Sequence, residues 1–202
     1  MQARQTLHRI RTTLIVALLA AAWGVAPVCA ADLTGTINAP VPKFRANAVV
    51  FLRNFGLEPT PKNGHIDQVG LVFTPRVLAI QKGSTVSFTN SDPVAHNVYT
   101  PDGKTYDLGT WPKGQSRSHL FPESGAFRQL CQVHDDMIAW VVAVDTRYFA
   151  VSDKSGAFTI RDVPPGKYTL GVWHEKLVGD DATVELGATG GAPVTLTLKP
   201  KG

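Results

Sequence analysis

Short runs of strictly alternating residues recur along the chain and constrain its fold more than any other feature. Each run is bounded by Gly, Pro, Asn or Asp, residues that suit the backbone angles of turns. A period of two places every second side chain on one face of a strand, and no stretch shows a convincing helical period. The pattern therefore predicts an all-β protein built from β-sandwiches. The clearest runs are residues 85–89, 157–161, 167–172 and 194–198.

The first thirty residues have the layout of an export signal. A basic start with Arg4, Arg9 and Arg11 precedes the apolar run 14–23, and small residues up to Ala30 suit cleavage. The run is shorter than the ~20 apolar residues that a membrane span needs, although an uncleaved anchor is the alternative. We therefore expect a signal peptide over residues 1–30, a periplasmic or secreted mature protein, and no membrane span after cleavage.

The charge and the cysteine count both change when that segment is removed. The whole chain has 20 Lys and Arg against 16 Asp and Glu, and 17 basic residues remain beside the same 16 acids. The mature chain is nearly neutral, so the basic precursor is no argument for nucleic-acid binding, and none is expected. Cys131 is then the one remaining cysteine and can form no internal disulfide. It is a free thiol, an intermolecular bridge or a metal ligand.

A thiol, an imidazole and a thioether follow one another at intervals of three residues, in Cys131, His134 and Met137. On a tight loop between two strands, all three side chains can turn toward one point. Copper prefers this mixture, with thiolate and imidazole in a trigonal plane and a weak, long thioether bond on the axis. A second imidazole is available in His96, which follows the strand at 86–89 and would lie at the same end of a sandwich. These residues predict a copper site.

The same motifs resemble the cupredoxin family, in its small plastocyanin and amicyanin form, over residues 73–144. The resemblance implies one type 1 copper ion, with His96, Cys131 and His134 as equatorial ligands and Met137 as the axial ligand. It also implies that Asn97 joins the two ligand loops by hydrogen bonds. The matching features are Asn90-Ser91-Asp92, His96-Asn97, Gly125 and Cys131-x-x-His134-x-x-Met137, the last with the loop spacing of amicyanin.

The chain departs from the amicyanin pattern directly after His134. Amicyanin-like loops usually carry Pro there, whereas this chain has Asp135 and Asp136. In the family the second histidine is the point where the electron leaves, so two carboxylates would make that exit acidic. The departure puts in doubt any carry-over of amicyanin's own partner, methylamine dehydrogenase.

Other metal sites fit the residues less well. A binuclear copper centre needs two cysteines, a multicopper oxidase needs histidines where Leu130 and Gln132 stand, and zinc rarely takes a thioether ligand. The remaining histidines of the mature chain are interpreted as structural or solvated. Residues 56–64 look like a linker, and His65 lies in this linker-like part of the chain. His119 falls on a strand surface, and His174 at a strand end, where packing or capping is expected.

A second sandwich is predicted from the C-terminal part of the chain. The runs 153–160 and 163–170 resemble the carboxypeptidase regulatory-like (transthyretin-like) sandwich. That fold normally opens with two strands that are missing just before Phe149. Suitable runs occur instead near the start of the mature chain, at residues 33–37 and 47–52.

The domain organisation that follows is discontinuous. We expect residues 31–55 and 147–202 to form the carboxypeptidase regulatory-like sandwich and residues 66–146 to form the cupredoxin copper-binding domain inserted in it. The alternative is that the N-terminal runs simply add strands to the cupredoxin. Such a sandwich says little about activity by itself.

The functional expectation is an exported type 1 copper protein that carries single electrons between redox partners and is not an enzyme. A c-type cytochrome or a periplasmic dehydrogenase is the expected kind of partner. Two alternatives stay open at this point. One is a copper carrier or store, although such proteins are usually rich in Met, and the other is a binding module in which the copper is structural.

Overall fold

The computed structural model describes residues 30–53, 55, 61–102 and 105–202. The predicted signal peptide, apart from Ala30, and residues 56–60 of the predicted linker lie outside the described residues. Within the described part, no helix has the length and apolar character needed to cross a membrane.

The all-β prediction is confirmed: the described residues form seventeen strands, together with one short 3-10 helix at Pro42–Arg45. Every alternating run identified in the sequence lies within a strand. In chain order the strands are β1 (Ala31–Asn38), β2 (Val49–Arg53), β3 (Gly64–Gln68), β4 (Phe73–Thr74), β5 (Val77–Gln81), β6 (Ser84–Asn90), β7 (His96–Thr100), β8 (Tyr106–Trp111), β9 (Ser116–Phe121), β10 (Gly125–Leu130), β11 (Ile138–Val144), β12 (Phe149–Val151), β13 (Ala157–Val163), β14 (Gly166–Trp173), β15 (Leu177–Gly179), β16 (Ala182–Leu186) and β17 (Val194–Pro200).

Strands β3 to β11 form two sheets that we call the central sandwich. One sheet has the strand order β5-β11-β10-β7-β8 and the other the order β4-β3-β6-β9. Each sheet contains one parallel pair, β5 with β11 and β3 with β6, and the remaining pairs are antiparallel. Alternate residues of the strands meet between the sheets in one apolar core, which includes Ile66, Phe88, Val98, Trp111 and Val141.

The other eight strands form a second pair of sheets, the flanking sandwich. Its sheets have the orders β13-β1-β17-β15 and β12-β2-β14-β16. Strand β1 therefore pairs with β13 and β17, and β2 pairs with β12 and β14, so the first two strands share sheets with the last six. The pairing places the N-terminal runs with the C-terminal strands, and they add no strand to the sheets of the central sandwich. The exact domain boundaries stay a prediction.

A single glycine turn helps to join the two chain segments of the flanking sandwich. Gly156 has φ +93°, and a Cβ built on it would lie 2.7 Å from the carbonyl oxygen of Ile37. The Gly156 carbonyl accepts a 2.8 Å hydrogen bond from the Ile37 N–H. Both the backbone angle and the close approach require the glycine that the sequence places in this turn.

Strand β11 is buried on both faces, which explains its continuous apolar run. Ala139, Val141 and Ala143 point into the core of the central sandwich. The alternate residues Val142 and Val144 pack instead in a cluster with Val77 and with Val49 of the flanking sandwich. The two sandwiches therefore share an apolar interface along β11.

Candidate metal centre

Three loops converge at one end of the central sandwich. Strands β3 and β6 run parallel and both finish there, where the Ser91 N–H donates a 2.9 Å hydrogen bond to the Gln68 carbonyl. The loops after these strands cover residues 69–72 and 91–95. The third loop, residues 131–137, joins β10 to β11 at the same end. This arrangement brings together side chains that are far apart in the sequence.

The predicted residues His96, Cys131 and His134 meet at this end. Their ligand atoms all lie within 4.8 Å of one another. The Nδ1 atom of His96 lies 3.2 Å from Nδ1 of His134 and 4.0 Å from Sγ of Cys131. His96 and Cys131 are buried, whereas His134 is only partly buried. The cluster thus has a closed inner side and one imidazole near the surface.

Met137 belongs to the same apolar core as Cys131 and is fully buried. Its N–H donates a 3.1 Å hydrogen bond to the carbonyl of His134, which closes a tight turn between the two residues. The loop from Cys131 to Met137 is therefore compact, as the three-residue spacing requires. The structure places all four predicted residues at one end of the central sandwich.

The side of the His96 ring that faces away from the cluster is hydrogen-bonded to Asp92, a residue that the sequence analysis does not single out for this role. The Asp92 Oδ2 atom lies 2.8 Å from Nε2 of His96, and neither side chain is more than 7% exposed. A carboxylate only accepts, so Nε2 donates to Asp92, and in the neutral ring Nδ1 is then the unprotonated nitrogen. The lone pair of Nδ1 is then available at the cluster.

The Asp92 carboxylate is itself held by backbone N–H groups. Gly70 donates to its Oδ1 at 2.6 Å and Leu71 donates to its Oδ2 at 2.9 Å, in a turn where both residues have positive φ. Burial raises the pKa of Asp92, but the hydrogen bonds from Leu71, His96 and Gly70 outweigh burial and lower it below its ordinary value. Asp92 is therefore ionised at neutral pH and fixes the orientation of the His96 ring.

Asn97 connects the two ligand loops as the family resemblance implied. Its Oδ1 accepts from the N–H of Gln132, directly after Cys131, at 3.4 Å. Its Nδ2 donates to Asp107 at 2.6 Å and to the Gly109 carbonyl at 3.0 Å. Asp107 also accepts from Nε2 of Gln132 at 3.1 Å, so the Cys131 loop is held through both the backbone and the side chain of Gln132.

The donor set fits a single metal ion. Ligand atoms about 2.0–2.3 Å from a common centre lie about 3–4 Å apart, which agrees with the separations of 3.2 and 4.0 Å at the cluster. Two ring nitrogens 3.2 Å apart can both direct lone pairs at a cation held between them. A thiol and two imidazoles with a thioether close by in the loop suit copper, since soft sulfur ligands and imidazole are its preferred donors.

The three loops that meet at the cluster carry exposed apolar and acidic side chains. Leu71, Val94 and Val133, one from each of the three loops, are exposed. Asp135 and Asp136 are exposed as well and follow His134 directly. Exposed apolar side chains on loops that meet at a buried site are a candidate contact surface.

The other three histidines in the described part of the chain take no part in this cluster. His65, predicted in the linker, lies instead in β3, where it is exposed and its Nε2 lies 3.0 Å from the Thr89 hydroxyl. His119, interpreted as a surface residue, is half-buried and stacks on Tyr106 at 3.7 Å, and burial lowers its pKa. His174 is buried, and its Nδ1 accepts the N–H groups of Lys176 and Leu177, so it has the capping role expected of it.

The fold and the clustered residues define a class of protein: an all-β chain whose central sandwich carries a His–Cys–His group with a methionine close by. A family model described as polysaccharide lyase family 4, domain II, matches residues 124–192, about a third of the chain. That description does not name the carboxypeptidase regulatory-like family, so the predicted identity of the second sandwich stays a prediction. No match was found among curated proteins.

Solved structures similar to the chain include several cupredoxins. A purple cupredoxin from Nitrosopumilus maritimus is 26% identical, with 40% of this chain and 99% of that chain covered and a TM-score of 0.37. A reduced amicyanin variant is 25% identical, with 40% and 80% covered and a TM-score of 0.38. A copper-containing nitrite reductase from Thermus scotoductus is 24% identical, with 47% and 25% covered and a TM-score of 0.39. The ligand set itself rests on the geometry of the cluster.

Proposed function

We propose that the protein is an exported one-electron carrier with a type 1 copper ion held by His96, Cys131, His134 and Met137. The observation that carries this proposal is the convergence of the two imidazoles and the thiol at 3.2 and 4.0 Å. When bound, copper would supply a one-electron couple between Cu(II) and Cu(I). The signal-like N-terminus supports a periplasmic or secreted location.

The surroundings of the cluster support electron transfer over copper carriage. His96 is fully buried and its ring is fixed by Asp92, while Asn97 fixes the Cys131 loop. A rigid ligand set changes little when an electron arrives, which favours fast transfer. A copper carrier needs the opposite property, since ligands that release a metal have to move.

The electron would enter and leave through His134. This imidazole is the least buried of the three clustered residues, and the exposed apolar residue Val133 directly precedes it in the chain. A partner with an apolar face can exclude water there and approach the ring. Asp135 and Asp136 would attract a partner with basic residues around that face, such as a c-type cytochrome, and would raise the encounter rate more than the final affinity.

The test is a copper titration of the mature protein with its visible spectrum, followed by a redox titration. We expect one copper per chain, an intense thiolate-to-copper charge-transfer band, and a reversible one-electron transition. Cys131→Ser should abolish the band, because the charge transfer arises from the thiolate. A Cys131→Ser protein that stays intensely coloured with Cu(II) would exclude the proposed site, and a coloured wild type without a reversible couple would favour structural copper.

A further inference from the structure

The two sandwiches are joined by a polar contact as well as by their apolar interface. Glu175, which follows β14 in the flanking sandwich, accepts from Arg76 of the central sandwich at 3.3 Å through Nε and at 2.9 Å through Nη2. The Trp140 Nε1–H donates to the same carboxylate at 3.1 Å. The Glu175 side chain is 17% exposed. One carboxylate thus receives three hydrogen bonds from the other sandwich.

The charge of Glu175 is well compensated. Burial raises its pKa, but the hydrogen bonds and charge of Arg76 and the bond from Trp140 outweigh burial and lower the pKa below its ordinary value. A two-pronged pair between a guanidinium and a carboxylate fixes orientation as well as distance. The ring of Trp140 also packs against Trp173 of the flanking sandwich, with centroids 5.3 Å apart. The contact therefore holds both of its central-sandwich partners in defined positions.

Arg76 and Trp140 are both linked by hydrogen bonds to the backbone at the start of β11. Arg76 donates through Nη1 to the carbonyl of Ile138 at 3.3 Å, and its own carbonyl accepts from the Trp140 N–H at 2.8 Å. Ile138 directly follows Met137. The backbone immediately after the methionine is therefore attached to an arginine whose guanidinium is held by Glu175.

We propose that Glu175 is a positioning residue of the metal centre: acting through Arg76 and Trp140, it fixes the start of β11 and with it the thioether of Met137. The inference rests on the proposed function, because it assigns a role toward the copper. The flanking sandwich would then influence the copper site, although none of its described residues belongs to the cluster. An axial thioether bond is weak and long, so it responds to small displacements of the methionine backbone.

The experiment compares copper-loaded Glu175→Gln with wild type and with Asp181→Asn. Asp181 is a matched control, since it lies in the same sandwich and pairs with Arg53 at the same 2.9 Å, without a link to β11. The readouts are the reduction potential, the intensity ratio of the shorter- to the longer-wavelength charge-transfer band, and the melting temperature. The band ratio reports the axial interaction, which a merely structural contact would leave unchanged.

We expect Glu175→Gln to lower the band ratio and raise the potential relative to Asp181→Asn, because the thioether is held less firmly. Two further variants separate geometry from charge. The double variant Arg76→Gln with Glu175→Gln keeps the net charge and should show the same fall in band ratio. Trp140→Phe changes no charge and should shift the ratio in the same direction, and it serves as the test if Glu175→Gln does not fold.

The outcomes distinguish this inference from the proposed function. A wild-type protein that binds copper without the charge-transfer band overturns the proposed function and the inference with it. A coloured wild type, with variants that melt earlier but keep its band ratio, leaves the function standing and shows that Glu175 only joins the two sandwiches. A ratio that changes equally in Asp181→Asn also overturns the positioning role.

Discussion

Asp92 offers the sharpest test of how the protein sets the potential of its metal. The carboxylate lies 2.8 Å from Nε2 of His96, on the opposite side of the ring from the cluster. With about 2.0 Å for a metal–imidazole bond, an ion on Nδ1 would lie roughly 6–7 Å from the carboxylate. A fixed negative charge at this distance favours the more highly charged oxidised ion.

The size of the effect follows from Coulomb's law. One charge at that separation is worth about 2.5 kcal/mol at an effective dielectric constant of about 20. Because about 2.3 kcal/mol corresponds to one elementary charge moved through 100 mV, Asp92 is expected to lower the reduction potential by about 100 mV. Asp92→Asn removes the charge but keeps an oxygen that can accept from Nε2. Its potential should therefore rise by an amount on the order of 100 mV, measured by redox titration of the visible band.

Asp67→Asn is the control for this measurement. Asp67 lies in the same end of the central sandwich and accepts from the Ser91 hydroxyl at 2.8 Å, but it has no bond to His96. Its replacement should shift the potential much less. A potential in Asp92→Asn that is unchanged or lower, or that matches Asp67→Asn, would show that the carboxylate does not act on the metal through His96.

Three further predictions concern the axial ligand, the surface and the pH dependence of stability. Met137→Leu should raise the potential and Met137→Gln should lower it with copper retained, and equal potentials in all three proteins would exclude Met137 as a ligand. Asp135→Asn with Asp136→Asn should slow reduction by a basic cytochrome at low salt in stopped-flow experiments and flatten the salt dependence, because screening acts over ~10 Å at 0.1 M; identical rates at every ionic strength would remove the steering claim. Burial lowers the pKa of His174 below the unfolded value of about 6.5, so its contribution to stability is complete above that pH and is lost as the pH falls. His174→Asn should therefore flatten the fall in urea midpoint between neutral and mildly acidic pH, and an unchanged slope would contradict this.

The sequence predicts the all-β fold, the strands with clear alternation and the loop part of the candidate site, because these depend on local signals. Alternation identifies a strand from a few residues, and Cys131, His134 and Met137 lie in one short loop. His96 was found because it follows a strand that predictably ends at the same edge. The pairing of the N-terminal strands follows from the two strands that the C-terminal run lacks. That argument depends on the resemblance to a known sandwich and on no local pattern that joins the two segments.

The residues that support the site through hydrogen bonds, Asp92 and Glu175, could not be predicted from the sequence. Asp92 was noted only as part of a motif, and its bond to His96 depends on a turn that no periodicity reports. Glu175 has no local signal of its role, because its partners Arg76 and Trp140 lie far away along the chain. Such contacts depend on how two sandwiches pack, and packing across an interface leaves no local pattern.

The connectivity of the flanking sandwich also has a consequence for the order in which the chain assembles. The Leu52 N–H donates to the Tyr148 carbonyl at 3.0 Å, so the two ends of the long segment between them are neighbours. Closing a loop of roughly one hundred residues costs about 4 kcal/mol in its length-dependent part alone. If the central sandwich folds first, it shortens the effective length of that segment and removes most of this entropic cost before β1 and β2 pair. The last strand, β17, then pairs in parallel with the first, β1, so the flanking sandwich is completed only when the final residues of the chain are present.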